Sequence, residues 1–342
     1  MHPLFGIELP VIQAPMAGVQ GSALALAVGK AGGLGSLPCA MLSPDALRRE
    51  LDALRAGIGR SFNLNFFCHV PPAVEEAREH AWRAALAPYY REFAIDPPAQ
   101  ASAASRTPFD EHAADIVEAF RPAVVSFHFG LPAPDLLARV RSWGSLVLAS
   151  ATTIDEAHWL QMRGVDAVIA QGLEAGGHRG HFLSEDITLQ SGTSVLVAQC
   201  VRELTIPVIA AGGIGNARDV AAALALGASA VQVGTGYLLC PEATVHAVHR
   251  RALESVAARE TELTNVFSGG IARGIVNRLM RELGPINPSA PPFPLAAGAL
   301  APLRAHAERA GSGDFSPLWA GQNASGCRAI GAALLTRALG GV

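Results

Sequence analysis

The chain has 342 residues, of which half are hydrophobic and 16% are charged, and its formal net charge is −3. This composition excludes disordered, fibrous and coiled-coil proteins, and the charge balance gives no reason to expect a nucleic-acid or membrane partner. No apolar run approaches the roughly 18 residues of a membrane-spanning helix. The five cysteines are odd in number and far apart, as is typical of reduced thiols, so we expect a cytoplasmic location.

Short apolar runs that end at Gly or Pro and precede Ala/Leu-rich segments are typical of buried parallel strands with crossover helices. Eight such runs occur, and the second is the weakest because glycines dilute it. They are Val11 to Ala14, Gly35 to Leu37, Phe62 to Phe67, Ala123 to Phe127, Leu146 to Ala149, Ala167 to Ala170, Pro207 to Ala210 and Ala230 to Val233. Eight strands that alternate with helices predict an α/β fold, a (β/α)8 TIM barrel.

The predicted helices lie between these runs. Asn216 is a candidate N-cap with Asp219 in the capping-box position, and Gly227 stands where that helix ends. The other predicted barrel helices are Ser22 to Lys30, Ser43 to Arg55, Pro134 to Trp143, Ile154 to Arg163 and Thr193 to Glu203.

Two regions exceed the simple repeat. Residues 68–122 form an insertion after the third strand, with a helical pattern from Val74 to Phe93 and an Ala/Ser/Pro-rich stretch from Ile95 to Pro108. That stretch is either part of the packed addition or a mobile surface loop. We predict a barrel in residues 1–240 and, in residues 241–342, helices that complete the barrel and a helix-rich extension on the substrate side. Both additions are expected to pack at the barrel mouth.

Glycine-rich turns follow the seventh and eighth predicted strands. Gly212, Gly213 and Gly215 follow one, and Gly234 and Gly236 follow the other. Barrels most often bind a phosphate here, because bare backbone N–H groups can approach an anion closely. The sequence therefore predicts a phosphorylated ligand, with tight turns and no ligand as the alternative. P-loop and Rossmann motifs do not occur in the sequence.

Polar side chains at other strand ends are candidates for chemistry. His128 ends the apolar fourth strand between two phenylalanines, where an imidazole can act as a base near neutral pH. Asn65 and Gln171 are neutral amides suited to a polar heterocycle. The alternatives are a structural core histidine and buried structural amides.

Histidine pairs could indicate a metal, but their neighbours do not support one. His178 and His181 lie in a glycine-rich loop whose only nearby carboxylates are Glu174 and Glu185. We expect no metal there. The pair His246 and His249 is expected on the surface of a helix, also without a metal.

Taken in order, these segments resemble the class I nitronate monooxygenases, formerly called 2-nitropropane dioxygenases. The His-Phe-Gly and Glu-Ala-Gly-Gly-His-Arg pieces are the most specific. The matching segments are Gln13-Ala-Pro-Met-Ala-Gly18, Ala31-Gly-Gly-Leu-Gly35, Asn65-Phe-Phe67, Val125-Ser-Phe-His-Phe-Gly130, Gln171-Gly-Leu-Glu-Ala-Gly-Gly-His-Arg-Gly180, Ile209-Ala-Ala-Gly-Gly-Ile214, Gln232-Val-Gly-Thr235 and Leu318-Trp-Ala-Gly-Gln322.

The resemblance implies a non-covalently bound FMN and oxidation of alkyl nitronates, or of nitroalkanes, by molecular oxygen to a carbonyl compound and nitrite. It makes His128 the catalytic base and places His178 near the flavin, where it could hold the substrate's nitro group. A homodimer stays open. The residues that the resemblance assigns to the flavin are Ala14, Pro15, Met16, Asn65, Gln171, Gly176, Gly177, Gly212, Gly213, Gln232, Val233, Gly234 and Thr235.

The tail departs from the family pattern. The family's usual Ser-Gly-Arg-Pro-Ala-Arg reads Ser268-Gly-Gly-Ile-Ala-Arg273 here, and only three tyrosines occur in the chain. These differences, together with the long insertion, fall on the expected substrate pocket. Whether a charged nitronate such as propionate 3-nitronate is preferred therefore stays open.

Two other functions remain as alternatives. FMN-dependent enoyl-acyl carrier protein reductases, which use NAD(P)H, are similar in the Ala-Pro-Met, Ala-Gly-Gly-Leu-Gly and Glu-Ala-Gly-Gly-His segments. His128 argues against them, because we expect no such histidine at that strand end in the reductase. A barrel that binds flavin without catalysis, as a sensor or accessory subunit, is the alternative from another class.

Overall fold

A computed structural model of the protein describes residues 5–59, 61–98 and 106–342. The strands in these ranges are β1 (Val11–Gln13), β2 (Gly35–Pro38), β3 (Phe62–Phe67), β4 (Val124–His128), β5 (Leu146–Ala151), β6 (Ala167–Gln171), β7 (Gly177–His178), β8 (Val208–Ala211), β9 (Ala230–Val233), β10 (Thr261–Thr264) and β11 (Ala272–Ile275). The α-helices are α1 (Ser22–Lys30), α2 (Pro44–Ile58), α3 (Glu76–Glu92), α4 (Glu111–Glu118), α5 (Pro134–Ser142), α6 (Ile154–Met162), α7 (Thr193–Glu203), α8 (Ala217–Ala225), α9 (Ala247–Leu253), α10 (Arg278–Leu283), α11 (Ala296–Arg309) and α12 (Ala332–Leu339).

Eight of the strands form one closed barrel. Their order is β1-β9-β8-β6-β5-β4-β3-β2, and every neighbouring pair is parallel. The two ends of this sheet meet where Ile12 forms a parallel bridge with Leu34, and the backbone N–H of Gln13 donates to the carbonyl of Leu34 at 2.9 Å. The predicted TIM barrel is confirmed, with each predicted strand within two residues of its observed ends.

The strands are apolar along their length because both faces are buried. Residues such as Val11 and Val168 pack outward against the helices, whereas their neighbours Ile12 and Ile169 belong to a separate apolar cluster that fills the barrel interior. This packed interior closes the middle of the barrel, and the cavity described below lies toward the carboxyl ends of the strands.

The predicted barrel helices also occur, each within three residues of its expected ends. Asn216 caps α8 as expected, since its side-chain oxygen accepts from the backbone N–H groups of Arg218 and Asp219. Gly227 follows with a φ of +97°, the left-handed conformation that glycine permits at a helix end.

The insertion packs on the C-terminal extension. In α3, the Trp82 indole N–H donates to the carbonyl of Ala296 at 3.1 Å, and the Tyr90 hydroxyl donates to the carbonyl of Ala299 at 2.6 Å. These contacts join α3 to α11 in an apolar cluster separate from the barrel core. The stretch from Ile95 to Pro108 lies partly outside the described residues.

The C-terminal extension adds one small antiparallel sheet and one outer helix to the barrel. Strand β11 pairs with β10 on one side and with β7 on the other, both antiparallel, so the tail is attached to the loop after β6. Helix α12 packs with α1 and α8 in the outer helical layer. The division of the chain at residue 240 stays a prediction.

Candidate active site

One cavity opens at the carboxyl ends of the barrel strands and collects most of the predicted site residues. Fourteen of the fifteen line its wall. They are Ala14, Pro15, Met16, Asn65, His128, Gln171, Gly176, Gly177, His178, Gly212, Gly213, Gln232, Gly234 and Thr235. Val233 is the remaining one; its side chain belongs to the barrel core.

The turn after β8 requires glycine for two separate reasons. Gly212 and Gly213 have φ values of +123° and +72°, which side chains rarely adopt. A Cβ on Gly212 would also lie 2.7 Å from Thr193 Oγ1 and 2.9 Å from the backbone nitrogen of Ala175. The backbone of this turn therefore forms the cavity wall itself.

His128 is held at both ring nitrogens. Its Nε2 lies 3.2 Å from the backbone carbonyl of His178, and its Nδ1 lies 3.0 Å from Ser150 Oγ. A carbonyl can only accept, so Nε2 carries the hydrogen and the lone pair lies on Nδ1, where the Ser150 hydroxyl donates to it. Burial lowers the pKa of His128 to about 4, which keeps the ring neutral near pH 7.

His178 lies in an aromatic environment across the cavity. Its Nε2 is 2.8 Å from Ser268 Oγ, and its ring centroid is 5.0 Å from that of Phe293 and 5.4 Å from that of Trp319. Burial, with the nearby Arg106 charge as a smaller cause, holds the pKa of His178 well below its usual value. Two neutral imidazoles thus line one cavity.

The amides predicted to contact a heterocycle have additional structural partners. Gln171 donates from Nε2 to the His178 carbonyl at 2.9 Å and accepts the Gly180 N–H at 2.8 Å. Asn65 donates from Nδ2 to Ser126 Oγ at 3.0 Å. These bonds fix the orientation of both amides, which also line the cavity, and their contact with a heterocycle stays a prediction.

The loop after β6 is held by a fully buried cation. Arg179 donates to the carbonyls of Gln171 and Gly172, each at 2.7 Å, and to Gln190 Oε1 at 2.8 Å. Burial lowers its pKa to about 10. The Glu174 carboxylate accepts the N–H of Thr193, the first residue of α7, at 2.7 Å. Two charged residues of this motif therefore hold the loop in place.

A family model described as "Nitronate monooxygenase" matches residues 1–336. The chain belongs to this family. Nitronate monooxygenases of Paraburkholderia phytofirmans and Pseudomonas aeruginosa are each 42% identical to it, over 98% of this chain and 93% and 96% of theirs. The family predicted from the sequence motifs, and with it an oxidoreductase, is confirmed.

Solved structures agree with the family assignment. A nitroalkane oxidase from Streptomyces ansochromogenes superposes with a TM-score of 0.89 at 37% identity, covering 98% of this chain and 96% of that one. FabK from Thermotoga maritima superposes with a TM-score of 0.70 at 26% identity, covering 98% and 93%. An enoyl reductase domain from Bacillus amyloliquefaciens, at 14% identity and a TM-score of 0.53, shares the fold alone.

Several residues in or beside this cavity were not among the predicted site residues. Ser150 lies in the cavity because β5 runs two residues beyond its predicted end. Trp319 belongs to the family segment Leu318-Trp-Ala-Gly-Gln322, but no role was predicted for it from the sequence. No sequence pattern indicated Arg106 or Phe293. The prediction that His249 lies on the surface is wrong: α9 packs inward, and His249 Nε2 is 3.1 Å from the carbonyl of Trp319.

The buried histidines predict a pH dependence of stability. Burial lowers the pKa of five of them, so the unfolded chain binds more protons than the folded one below the unfolded pKa of about 6.5. The free energy of unfolding therefore falls as pH falls. For His128 this loss begins near the unfolded pKa of about 6.5 and continues down to the folded pKa of about 4. We expect Tm to drop by several degrees between pH 7.5 and pH 5 in calorimetry, and by less in His128→Asn. An equal drop in both proteins contradicts the assignment to His128.

Within the described residues, no helix is both long and apolar enough to cross a membrane.

Proposed function

We propose that this protein binds FMN and oxidises alkyl nitronates with molecular oxygen to a carbonyl compound and nitrite. The observation that carries the proposal is a neutral His128 at the wall of a cavity built from the family's glycine motifs. Oxidation of a nitronate needs no external reductant. We therefore also propose that turnover is independent of NAD(P)H.

The residues present fit a flavin mononucleotide. Gln232 Oε1 is buried with no hydrogen-bond partner among the described residues, and it can accept an N–H of the flavin's polar ring. Gly177 has open space where a Cβ would stand, and Gly212 and Gly213 present bare backbone to a phosphate. No carboxylate of the described residues lines the cavity, which suits an anionic ligand.

When bound, the flavin supplies the redox chemistry, taking electrons from the nitronate and returning them to oxygen. The chain's own residues exclude water, orient the substrate and, for a nitroalkane, accept one proton from it. A nitronate has already lost its acidic proton, whereas a neutral nitroalkane must lose it first. The available lone pair of His128 is on Nδ1, and Ser150, whose Oγ lies 3.0 Å from it, also lines the cavity. Ser150 is therefore placed to pass a substrate proton to Nδ1.

The direct test follows oxygen uptake and nitrite release when ethyl nitronate is added to the purified protein. We expect both without NAD(P)H, and no stimulation when NADH is present. Anaerobic mixing with NADH alone distinguishes the enoyl reductase: rapid loss of flavin colour would support it. Bound flavin with neither response would favour a non-catalytic flavin-binding barrel.

A cytoplasmic location is part of the same proposal. It rests on five free cysteines with no disulfide among them. Fractionation of native cells should recover nitronate-dependent nitrite release with the cytoplasm, and recovery outside the cell would contradict it.

A further inference from the structure

Arg106 is a cation at the cavity wall. It belongs to the insertion, precedes α4, and lines the same cavity as His178. Its Nη1 atom is buried and has no acceptor among the described residues. A buried N–H donor that lacks an acceptor is costly, so an acceptor from a ligand is expected to complete the site.

The charge next to Arg106 adds to the excess of positive charge at this wall. The charged group that acts on it is Arg304, another cation, and burial together with Arg304 lowers its pKa. A guanidinium nevertheless keeps its charge in proteins. Arg106 in turn lowers the pKa of His69 and His178, so the cavity side of this wall is electropositive.

Aromatic rings define the space beside this cation. The guanidinium carbon of Arg106 lies 5.3 Å from the centroid of the Phe293 ring. Phe293 is 5.0 Å from His178 and 5.3 Å from Phe129, measured between ring centroids. The Phe293 ring is therefore close both to the Arg106 cation and to the His178 imidazole. Flat apolar walls with one cationic end suit a small planar anion.

We propose that Arg106 binds the planar two-oxygen anion of the substrate and thereby determines specificity. This inference rests on the proposed nitronate oxidation. Two N–H groups of a guanidinium match two oxygens that share one negative charge. Such an anion is present in the nitronate group itself and also in a carboxylate elsewhere on the substrate.

The variants Arg106→Met and Arg106→Lys test the proposal, with Arg83→Met as the matched control. Arg83 belongs to the same insertion, but it donates to the carbonyl of Pro98 and does not line the cavity. In Arg106→Met we expect KM for nitronates to rise about 10- to 100-fold while kcat stays within about threefold. Arg106→Lys should recover part of the loss, and Arg83→Met should resemble the parent protein.

Two nitronates identify which anion is bound. An equal loss with ethyl nitronate and propionate 3-nitronate assigns Arg106 to the nitronate group, and neutral nitroethane should then be unaffected. A loss confined to propionate 3-nitronate assigns it to the carboxylate. Unchanged KM for both nitronates, or an equal loss with ethyl nitronate and nitroethane, would overturn the proposal.

A binding measurement separates this inference from the proposed function. Nitrate is a planar anion that is not a nitronate, so isothermal titration of the purified protein with nitrate needs no turnover. We expect its Kd to rise about 10-fold or more in Arg106→Met and to stay unchanged in Arg83→Met. An unchanged Kd in Arg106→Met defeats the inference even if nitronates are oxidised. A raised Kd without nitronate oxidation keeps the anion site and defeats the proposed function instead.

Discussion

His128→Asn should lower turnover of neutral nitroalkanes by about 10²- to 10⁴-fold, the range of a general base, while preformed nitronates lose less than about tenfold. The difference arises because only the nitroalkane must give up a proton. Asn keeps a polar group beside Ser150 but has no basic lone pair comparable to Nδ1. Oxygen uptake with nitroethane and with ethyl nitronate, each at saturation, measures the two losses.

The exposed His112 on α4 provides the control, since His112→Asn should change neither rate. Ser150→Ala tests the proton path. It removes the hydroxyl that lies 3.0 Å from Nδ1, so it should slow nitroalkanes more than nitronates. Equal losses with both substrates in His128→Asn would contradict the role as a base and leave His128 as a structural residue.

Arg179→Met should give the largest loss of stability. The substitution removes the donor from two carbonyls and from Gln190 Oε1 in a fully buried location. Leaving buried acceptors unsatisfied should lower the free energy of unfolding by about 3 kcal/mol. Scanning calorimetry should then show a Tm lower by roughly 4 °C. Flavin affinity should also fall, because Arg179 fixes the end of β6 at Gln171.

Arg202→Met is the matched control for this prediction. Arg202 is an exposed residue on α7 that pairs with Glu203, and surface ion pairs of this kind contribute little. We expect its Tm to stay within about 2 °C of the parent protein. If the two variants had the same Tm, the loop after β6 would not depend on Arg179.

The barrel could be predicted from sequence because its signals are local. A strand buried on both faces must be apolar throughout, and the glycines that end it mark the turn, so each of the eight runs was recognisable separately. The same reasoning placed Gly212, Gly213 and Gln232 near one another, since parallel strands bring their carboxyl ends to one edge of the barrel.

The missed features depend on contacts between distant parts of the chain. Arg106 follows an Ala/Ser/Pro-rich stretch with no periodicity, and it contacts Phe293, which lies 187 residues later in the chain. His249 was wrongly expected on the surface because a short helical pattern does not show which face is covered. Helix α4, in contrast, has a local signal in the sequence, the N-cap residue Asp110.

The small sheet of β10, β11 and β7 was also missed. Strand β7 lies almost a hundred residues before its partner β11, and it has only two residues within a glycine-rich loop. Strands this short carry no alternation that a sequence pattern could show.

The central claim is that the cavity binds a flavin that a nitronate reduces directly. The most direct measurement is the visible absorption spectrum of the purified protein before and after anaerobic addition of ethyl nitronate. We predict a flavin spectrum that bleaches with the nitronate and returns when oxygen is admitted. A flavin spectrum that the nitronate leaves unchanged but NADH bleaches, or a colourless protein that takes up no added FMN, would contradict this account.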